Sequence, residues 1–286
     1  MIKENLADFA NKRFGQNFLK SDYYIHQIIQ SIPNDSLTIA EIGPGLGDLT
    51  KELVRVRNVV AFEVDKRLCE HLQTEFNSAI DIGSLRLNCG DVLEHWEDKS
   101  LLDEEYHLIA NLPYYIATNI ILKAFKDPLC KSILVMVQKE VAVKFSAQPN
   151  QKEFSSLSVL AQSVGVASIC FDVPAEAFVP PPNVTSSVLL IEKDHSEDDE
   201  NFEAFLRVAF RQPRKKLSKN LLVTFSKDKI EPLFEELGLA PNLRPHQAPT
   251  TIYHHLYIAL KKDFIDGKQR ADEPRTRKRR ATKEDK

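Results

Sequence analysis

EIGPGLGDLT, residues 41–50, joins a short apolar run rich in β-branched residues to the start of an amphipathic stretch. Its glycines at 43, 45 and 47 permit a tight turn and leave room for a ligand to approach the backbone. The N–H groups at the start of the following helix are unpaired and can bind such a ligand. Turns of this kind, at the carboxyl ends of parallel strands, are where open α/β sheets bind ligands. The stretch therefore predicts an α/β fold with a ligand site at this turn.

The same alternation of strand-like and helix-like segments continues to about residue 192. The strand-like runs are NVVAFEV (58–64), SLRLNC (84–89), YHLIANL (106–112) and SILVMVQ (132–138). Between them lie amphipathic stretches such as KRLCEHLQTEF (66–76) and ATNIILKAFK (117–126), which predict helices. This rhythm predicts a mainly parallel sheet with helices on both faces. Two later runs, 165–173 and 184–193, are joined by a proline-rich segment and predict an antiparallel pair at one edge.

The chain is predicted to divide at an acidic linker, at about residues 193–201. Before it, residues 1–192 would form the α/β domain. After it, residues 202–264 contain four amphipathic stretches, the second at 214–225 and the last at 250–264, and predict a small all-helical domain. The last segment, residues 265–286, is a basic tail for which we expect disorder.

Composition excludes several classes of protein. With 286 residues and 43% hydrophobic content, the chain can bury a proper core. No apolar run approaches the roughly 20 residues that span a bilayer, and the N-terminal sequence is too polar for a secretory signal. We therefore expect a cytoplasmic protein with no membrane partner, and a monomer.

The chain has four cysteines, Cys69, Cys89, Cys130 and Cys170, and they form no CxxC pair. We therefore predict core thiols, no zinc site or other metal, and no disulfide framework.

The spacing of the glycines and nearby acids indicates which ligand is bound. A dinucleotide fingerprint reads G-x-G-x-x-G, but here the third glycine comes one residue early and Glu41 precedes Gly43 by two residues. The turn resembles the E-x-G-x-G-x-G motif of class I S-adenosylmethionine-dependent methyltransferases; a purely structural turn is the alternative. Glu63, at the end of the next strand, could accept both hydroxyl hydrogens of a ribose, with Asp65 as a competitor that also fits an N-cap. Asp91, at the end of a third strand, could bind the adenine amino group or cap a short helix.

ANLPYYI, residues 110–116, ends a further strand with an amide, a proline and two aromatic residues. It resembles the (Asp/Asn/Ser)-Pro-Pro-(Tyr/Phe) motif of methyltransferases that act on amino groups, although alone it also fits an ordinary turn. The adenine 6-amino nitrogen is a poor nucleophile until acceptors draw its hydrogens out of the ring plane. The Asn111 amide oxygen and the Leu112 carbonyl are the predicted acceptors. Pro113 fixes the backbone direction, and Tyr114 is predicted to stack on the base.

Positive charge is concentrated in two segments although the net charge is −3. Residues 211–219 carry five positive charges and no negative one, and residues 267–286 carry nine positive charges against four negative. A solvated face or a disordered tail is the alternative interpretation of each segment. Two basic segments after an acidic linker favour contact with a nucleic acid. The residues predicted to make this contact are Arg211, Arg214, Lys215, Lys216 and Lys219.

Together these motifs resemble the ribosomal RNA adenine dimethyltransferase family, in its bacterial small-subunit branch. The matching stretches are FGQNFL (14–19), EIGPGLGDLT (41–50), NLPYYI (111–116), MVQKEVA (136–142), LSVLAQ (157–162), AFVPPPNVTSSV (177–188) and AFRQPRKKLSKNL (209–221). The resemblance implies a Rossmann-like class I methyltransferase fold with a small helical C-terminal domain. It also implies transfer of two methyl groups to each of two adjacent adenosines, in the hairpin loop near the 3′ end of 16S rRNA. The substrate would be a 30S precursor particle late in assembly, and loss of the methylation would confer kasugamycin resistance.

The resemblance also implies the roles of individual residues. The donor, S-adenosylmethionine, would be bound by Asn17, Leu19, Gly43, Gly45, Glu63, Asp91 and Asn111. Phe178 would be the second aromatic residue of a base clamp, opposite Tyr114; a core phenylalanine that anchors the proline-rich loop is the alternative. Ala110 departs from the family, which commonly has glycine there, and adds a methyl group beside the predicted site.

Three other functions remain open at this point. Erm-type enzymes dimethylate an adenine of large-subunit rRNA, but their glycine turn usually lacks the Pro-Gly-Leu-Gly form. DNA adenine methyltransferases usually carry Asp in the catalytic motif and have a target-recognition domain. A non-catalytic ribosome assembly factor could keep the fold, although it would have no physical reason to keep the full set of donor and acceptor residues.

Overall fold

The computed structural model describes residues 15–96 and 100–272, with the helical backbone alone for residues 267–272. The chain forms two compact units, Met1–Asp198 and Asp199–Lys286. The division falls within the acidic linker predicted at about 193–201.

The first unit contains a seven-stranded sheet among its described residues, in the order β4-β3-β2-β5-β6-β9-β7. The strands are β2 (Thr38–Ile42), β3 (Val59–Glu63), β4 (Leu85–Cys89), β5 (Tyr106–Asn111), β6 (Cys130–Gln138), β7 (Gly165–Val173) and β9 (Ser186–Lys193). From β4 to β6 all neighbours are parallel, whereas β9 is antiparallel to both β6 and β7. The predicted parallel sheet with an antiparallel edge is confirmed.

Eight helices accompany the sheet in the described part of this unit. They are α1 (Asp22–Gln30), α2 (Asp48–Val56), α3 (Lys66–Glu75), α4 (Asn77–Asp81), α5 (Val92–His95), α6 (Ala117–Lys126), α7 (Lys139–Ser146) and α8 (Ser156–Val164). Chain order along the sheet reverses between β2 and β5, so a crevice opens beyond their carboxyl ends. This switch point is where the sequence predicted the ligand site.

The central strands are buried along their whole length. Every residue of β2 and β3 is buried, as expected for parallel strands covered by helices. Two of those buried residues, Glu41 and Glu63, carry acidic side chains. Isolated buried carboxyl groups are costly, so their position in apolar strands indicates a functional requirement.

A separate two-stranded sheet pairs β1 (Phe18–Leu19) with β8 (Phe178–Val179). The register places Leu19 opposite Phe178, and the Lys20 N–H donates to the Ala177 carbonyl at 2.8 Å. This pairing fixes the segment that precedes α1. Sequence periodicity could not predict it, because each strand has only two residues.

The cysteines differ from the expectation. Cys69 and Cys89 form a disulfide with Cα atoms 6.0 Å apart, so the prediction of unpaired core thiols is wrong for this pair. The connection from β3 through α3 back to β4 lays the helix beside the end of β4, and no local spacing signals that contact. Of the other two, Cys130 is free and buried, as predicted, and Cys170 is free and exposed.

The described residues of the second unit are helical, as predicted. Its helices are α9 (Glu200–Ala209), α10 (Leu217–Leu221), α11 (Lys227–Glu236) and α12 (Thr250–Asp272). Asp199 caps α9 by accepting from the N–H groups of Asn201 and Phe202, and its other oxygen accepts from Tyr257 and Lys261. Aromatic rings of α9 and α12 pack closely around these contacts.

Two predicted helix limits are wrong. The prediction ended the last helix near residue 264, where apolar residues stop, but α12 continues to Asp272. Extending an existing helix is easy, and the lysine, glutamine, arginine and alanine of this segment are good helix formers. Residues 273–286 of the predicted disordered tail lie outside the described residues. The stretch 214–225 is helical only over Leu217–Leu221.

Candidate functional site: a cavity at the carboxyl ends of the parallel strands

All residues predicted to bind the methyl donor line one cavity of about 190 Å³. They are Asn17, Leu19, Gly43, Gly45, Glu63, Asp91 and Asn111. Leu112, Pro113 and Tyr114 of the predicted acceptor motif line the same cavity. The ends of β2, β3, β4 and β5 therefore converge where the topology places a ligand site.

The glycine turn has the backbone that the sequence predicted. Gly43, Gly45 and Gly47 have φ values of 70°, 63° and 88°, a region that side chains rarely adopt. A Cβ on Gly45 would lie 3.1 Å from the Phe18 ring, and one on Gly47 would overlap the Phe76 ring. The turn therefore packs tightly against these two rings, and a side chain at either glycine would disturb it.

Glu63 connects this turn to the next strand end. Its Oε2 accepts from the Gly45 N–H at 3.1 Å, and its Oε1 accepts from the Asp65 N–H at 2.9 Å. Burial raises the pKa of Glu63, while these N–H groups act in the opposite direction. Each carboxylate oxygen has a second lone pair that can accept from a ligand hydroxyl.

The two aspartates take different positions. Asp65 is the N-cap of α3: it accepts from the Arg67 N–H and forms an ion pair with the Arg67 side chain at 2.7 Å. The cavity wall contains Glu63 and does not contain Asp65. Asp91 has a position compatible with both predicted roles, because it lines the cavity while its Oδ1 caps α5 by accepting from the Leu93 N–H at 2.9 Å.

Glu41 is a site residue to which the sequence assigned no role beyond the motif. Only 2% of it is exposed, it lines the cavity, and its Oε2 has no hydrogen-bond partner among the described residues. Burial raises its pKa to about 8, and the neighbouring Glu63 carboxylate contributes to the increase. An unpaired buried carboxyl oxygen on a cavity wall fits a cationic ligand. The residues present therefore suit S-adenosylmethionine, which carries a sulfonium and an ammonium group.

Asn111 ends β5 at the cavity with its amide in a defined orientation. Its Nδ2 donates to the Asn17 carbonyl at 3.0 Å. A carbonyl oxygen can only accept, so the amide nitrogen must face Asn17 and Oδ1 must face away from it. The next residue, Leu112, donates its N–H to the Met136 carbonyl of β6 at 3.2 Å. The predicted acceptor group is thus held by β6 on one side and by the Asn17 carbonyl.

Tyr114 lies in the turn between β5 and α6 and is half-buried at the cavity. Its hydroxyl forms a 2.8 Å hydrogen bond with the Ser186 hydroxyl. Burial raises the pKa of the Tyr114 phenol, which therefore stays neutral. The following residue, Tyr115, also lines the cavity and is 62% exposed.

Phe178 and Ala110 do not lie on the cavity wall. Phe178 is 2% exposed and packs in the hydrophobic core with Leu19, Val173 and Ala177. This position matches the alternative interpretation, a core phenylalanine that anchors the proline-rich loop; stacking on a base would require its ring to leave the core. Ala110 is also buried, where β5 pairs with β6, so its methyl group does not line the cavity.

Comparison with known proteins identifies the family. A family model described as ribosomal RNA adenine dimethylase matches residues 7–262. The chain belongs to the ribosomal RNA adenine dimethylase family. The resemblance that the sequence motifs indicated is confirmed.

Similar members of the dimethylase family come from several bacteria. A protein of Sulfurimonas denitrificans named ribosomal RNA small subunit methyltransferase A is 55% identical over 248 residues, which cover 87% of this chain and 92% of the relative. One of the same name from Helicobacter hepaticus is 46% identical over 267 residues, covering 91% and 94%. These relatives extend over both units of the chain.

Solved structures agree on the fold of this family member. A dimethyladenosine transferase from Plasmodium falciparum has a TM-score of 0.69 at 20% identity and covers 86% of this chain and 98% of its own. The 23S rRNA methyltransferase ErmE has a TM-score of 0.66 at 19% identity, covering 86% and 100%. At such identities the likeness shows a shared methyltransferase fold and does not distinguish between rRNA substrates.

The predicted RNA-binding residues of this dimethylase lie in the second unit. All five are exposed: Arg211, Arg214, Lys215, Lys216 and Lys219. Four of them belong to a loop between α9 and α10, and Lys219 lies on α10. Asn220, itself 2% exposed, accepts from the Gln212 N–H and donates to the Gln212 carbonyl, both at 3.1 Å. The Asn220 side chain therefore holds the basic loop, residues 211–216, through the Gln212 backbone.

The described residues lack both a metal-binding group and a membrane-spanning helix. They contain no group of three or more His, Cys, Asp or Glu side chains that could hold a metal ion. Within the same residues, no helix has the length and apolar character that crossing a membrane requires.

Proposed function

We propose that this chain is a 16S rRNA adenine-N6,N6-dimethyltransferase that uses S-adenosylmethionine. Its substrate would be a 30S precursor particle, in which it would transfer two methyl groups to each of two adjacent adenosines in the hairpin loop near the 3′ end. The orientation of Asn111 supports this proposal most directly. Its amide nitrogen is engaged by Asn17, which leaves the oxygen to accept from a substrate amino group at the donor cavity.

The donor would be bound by groups from successive strand ends. Glu63 would accept from the ribose hydroxyls, and Asp91 would accept from the adenine amino group. Asn17 and Leu19 would close the other side of the cavity. Glu41 would provide the counter-charge for the cationic part of the molecule. When bound, S-adenosylmethionine supplies an electrophilic methyl group on a sulfonium.

The chain's own contribution to the transfer is orientation and electrostatics. The Asn111 Oδ1 and the Leu112 carbonyl would accept the two hydrogens of the adenine amino group and expose its lone pair. Tyr114 would hold the base by stacking. A strong general base is not required, because the proton can leave after the nitrogen has been methylated.

The relatives support the choice of substrate. The similar bacterial proteins are named for methylation of small-subunit rRNA, whereas the Erm-type enzyme is similar at 19% identity and in fold alone. We further propose that the enzyme acts in the cytoplasm, where its substrate is assembled, and that it binds the particle as a monomer.

The test uses full-length protein, methyl-labelled donor and immature 30S particles from a strain that lacks the gene. Mass spectrometry of 3′-terminal 16S fragments should find two adjacent dimethyladenosines. Asn111→Ala should lower the rate by about 100-fold or more, the scale expected when a polar group that acts on the transition state is removed.

Three results would contradict the proposal in different ways. Absence of dimethyladenosine with wild-type protein would leave the assembly-factor hypothesis. Transfer to 23S rRNA in a parallel reaction, with none to the 30S particles, would support the Erm-type alternative. An unchanged rate in Asn111→Ala would remove this residue from the mechanism.

A further inference from the structure

The hydroxyl groups of Tyr114 and Ser186 form a hydrogen bond that joins the acceptor motif to a distant strand. The two oxygens are 2.8 Å apart although the residues are 72 positions apart in sequence. Ser186 is fully buried, and it does not belong to the cavity wall. Its hydroxyl can therefore affect the cavity only through the tyrosine.

Ser186 is held rigidly by the sheet. It is the first residue of β9, opposite Gln138 of β6 on one side and Val173 of β7 on the other. Tyr114, in contrast, lies in a turn, where the Ile116 N–H donates to the Pro113 carbonyl at 3.1 Å. The hydrogen bond thus anchors the outer end of a turn side chain to a strand paired on both edges.

We infer that Ser186 is a positioning residue that fixes the ring of Tyr114 for stacking on the target adenine. The inference rests on the proposed methyl transfer to adenine. A tyrosine attached only through its backbone can rotate about its side-chain bonds, whereas one also attached through its hydroxyl presents a fixed face. Fixing that face before the base arrives lowers the entropic cost of orienting the base beside the donor.

The burial of Ser186 makes its hydrogen bond with Tyr114 important. A buried hydroxyl without a partner is costly, and among the described residues Tyr114 is the hydrogen-bond partner of the Ser186 hydroxyl. The adjacent Ser187 is equally buried and points to the other face of the sheet, where it donates to Asp172 at 2.6 Å. Ser187 is therefore a matched control: same strand, residue type and burial, with no contact to Tyr114.

The experiment measures single-turnover methylation of immature 30S particles by the full-length protein. We expect Ser186→Ala to lower the single-turnover rate constant by about five- to tenfold, the scale of one net hydrogen bond, with donor affinity unchanged within about twofold. Tyr114→Phe removes the same bond from the other side, so it should have a similar effect. The double variant should be no slower than either single variant. Ser187→Ala should retain the wild-type rate.

A second readout tests positioning directly. In a 16S hairpin with 2-aminopurine at the target adenosine, quenching by stacking on the protein should be weaker in Ser186→Ala than in Ser187→Ala. Equal rates and equal quenching in the two serine variants would overturn the inference, as would additive effects in the double variant. If wild-type protein transfers no methyl group at all, the proposed function fails instead, so the two failures are distinguishable.

Discussion

At the scale of single residues, the carboxyl groups of β2 and β3 connect stability to ligand binding. Glu41 and Glu63 are both buried, and burial raises the pKa of each. Glu63 is compensated by two backbone N–H groups, whereas the Glu41 Oε2 has no partner among the described residues. A buried carboxyl group with an unpaired oxygen destabilises the fold, but it also provides a site at which a cation can bind.

The pH dependence of stability tests this interpretation of Glu41. Its folded pKa of about 8 exceeds the ordinary value of 4.5, so between these values the folded state binds more protons than the unfolded state. Stability must therefore fall as pH rises through this window. At about 1.4 kcal/mol per unit, the loss at pH 7 is roughly 3 kcal/mol.

Glu41→Gln should remove that loss. The measurement is urea unfolding without donor. Between pH 5 and pH 7, the free energy of unfolding of the variant relative to that of the wild type should increase by roughly 3 kcal/mol, because only the wild type has this titration. Effects of groups that do not interact with Glu41 are common to both proteins and cancel in the difference; Glu63, which does interact with it, contributes to the measured difference. Two pH profiles that run parallel would show that Glu41 is not strongly desolvated in the folded protein.

Sequence predicted most of the residues of the site because strand ends are visible in the pattern. Glu63 and Asn111 end buried apolar strands, Asp91 comes shortly after a third strand, and the carboxyl ends of parallel strands must meet. The contact of Ser186 with Tyr114 and the core position of Phe178 depend on tertiary packing. No local pattern contains that information.

At the scale of elements, strands were easier to predict than helix limits. Continuous apolar runs identify buried parallel strands, as in β2 and β3, with little ambiguity. The two-residue strands β1 and β8 have too little sequence for periodicity. The predicted limits of α10 were wrong because composition sets where a helix can extend, whereas local tertiary contacts decide where it begins and ends.

The basic loop at residues 211–216 illustrates such a contact. Asn220 binds both the N–H and the carbonyl of Gln212, which holds the loop against α10. We expect Asn220→Ala to lower the free energy of unfolding by about 1–3 kcal/mol, because two hydrogen bonds made by a buried side chain are lost. Affinity for immature 30S particles should fall about fivefold, since the exposed charges are no longer held in one arrangement.

The control for this prediction is Ser218→Ala, on the same short helix, which should keep both stability and affinity. The salt dependence of binding should be unchanged in Asn220→Ala, because no charge has been removed. Affinity equal to that of the wild type would show that RNA binding does not depend on the shape of this loop.

At the scale of the whole molecule, the predicted catalytic residues and the predicted RNA-binding residues lie in different units. The first unit contains the cavity and the acceptor motif, and the second presents the five basic residues. A net charge of −3 conceals this distribution. Association with a polyanion depends on local positive charge, so a negative net charge does not by itself exclude RNA binding.

Replacing Arg214, Lys215 and Lys216 with alanine should therefore weaken binding to immature 30S particles and reduce its salt dependence. Each phosphate contact contributes about 0.7–0.9 to the slope of log K against log salt, so the slope should fall by roughly two to three. The matched control replaces Lys227, Lys229 and Lys262 of the same unit, which changes the net charge equally. Two of these lysines form ion pairs, with Glu231 and Asp263. If the control lost as much slope as the test variant, total charge would govern binding; if neither variant lost any, the second unit would not contact the RNA backbone.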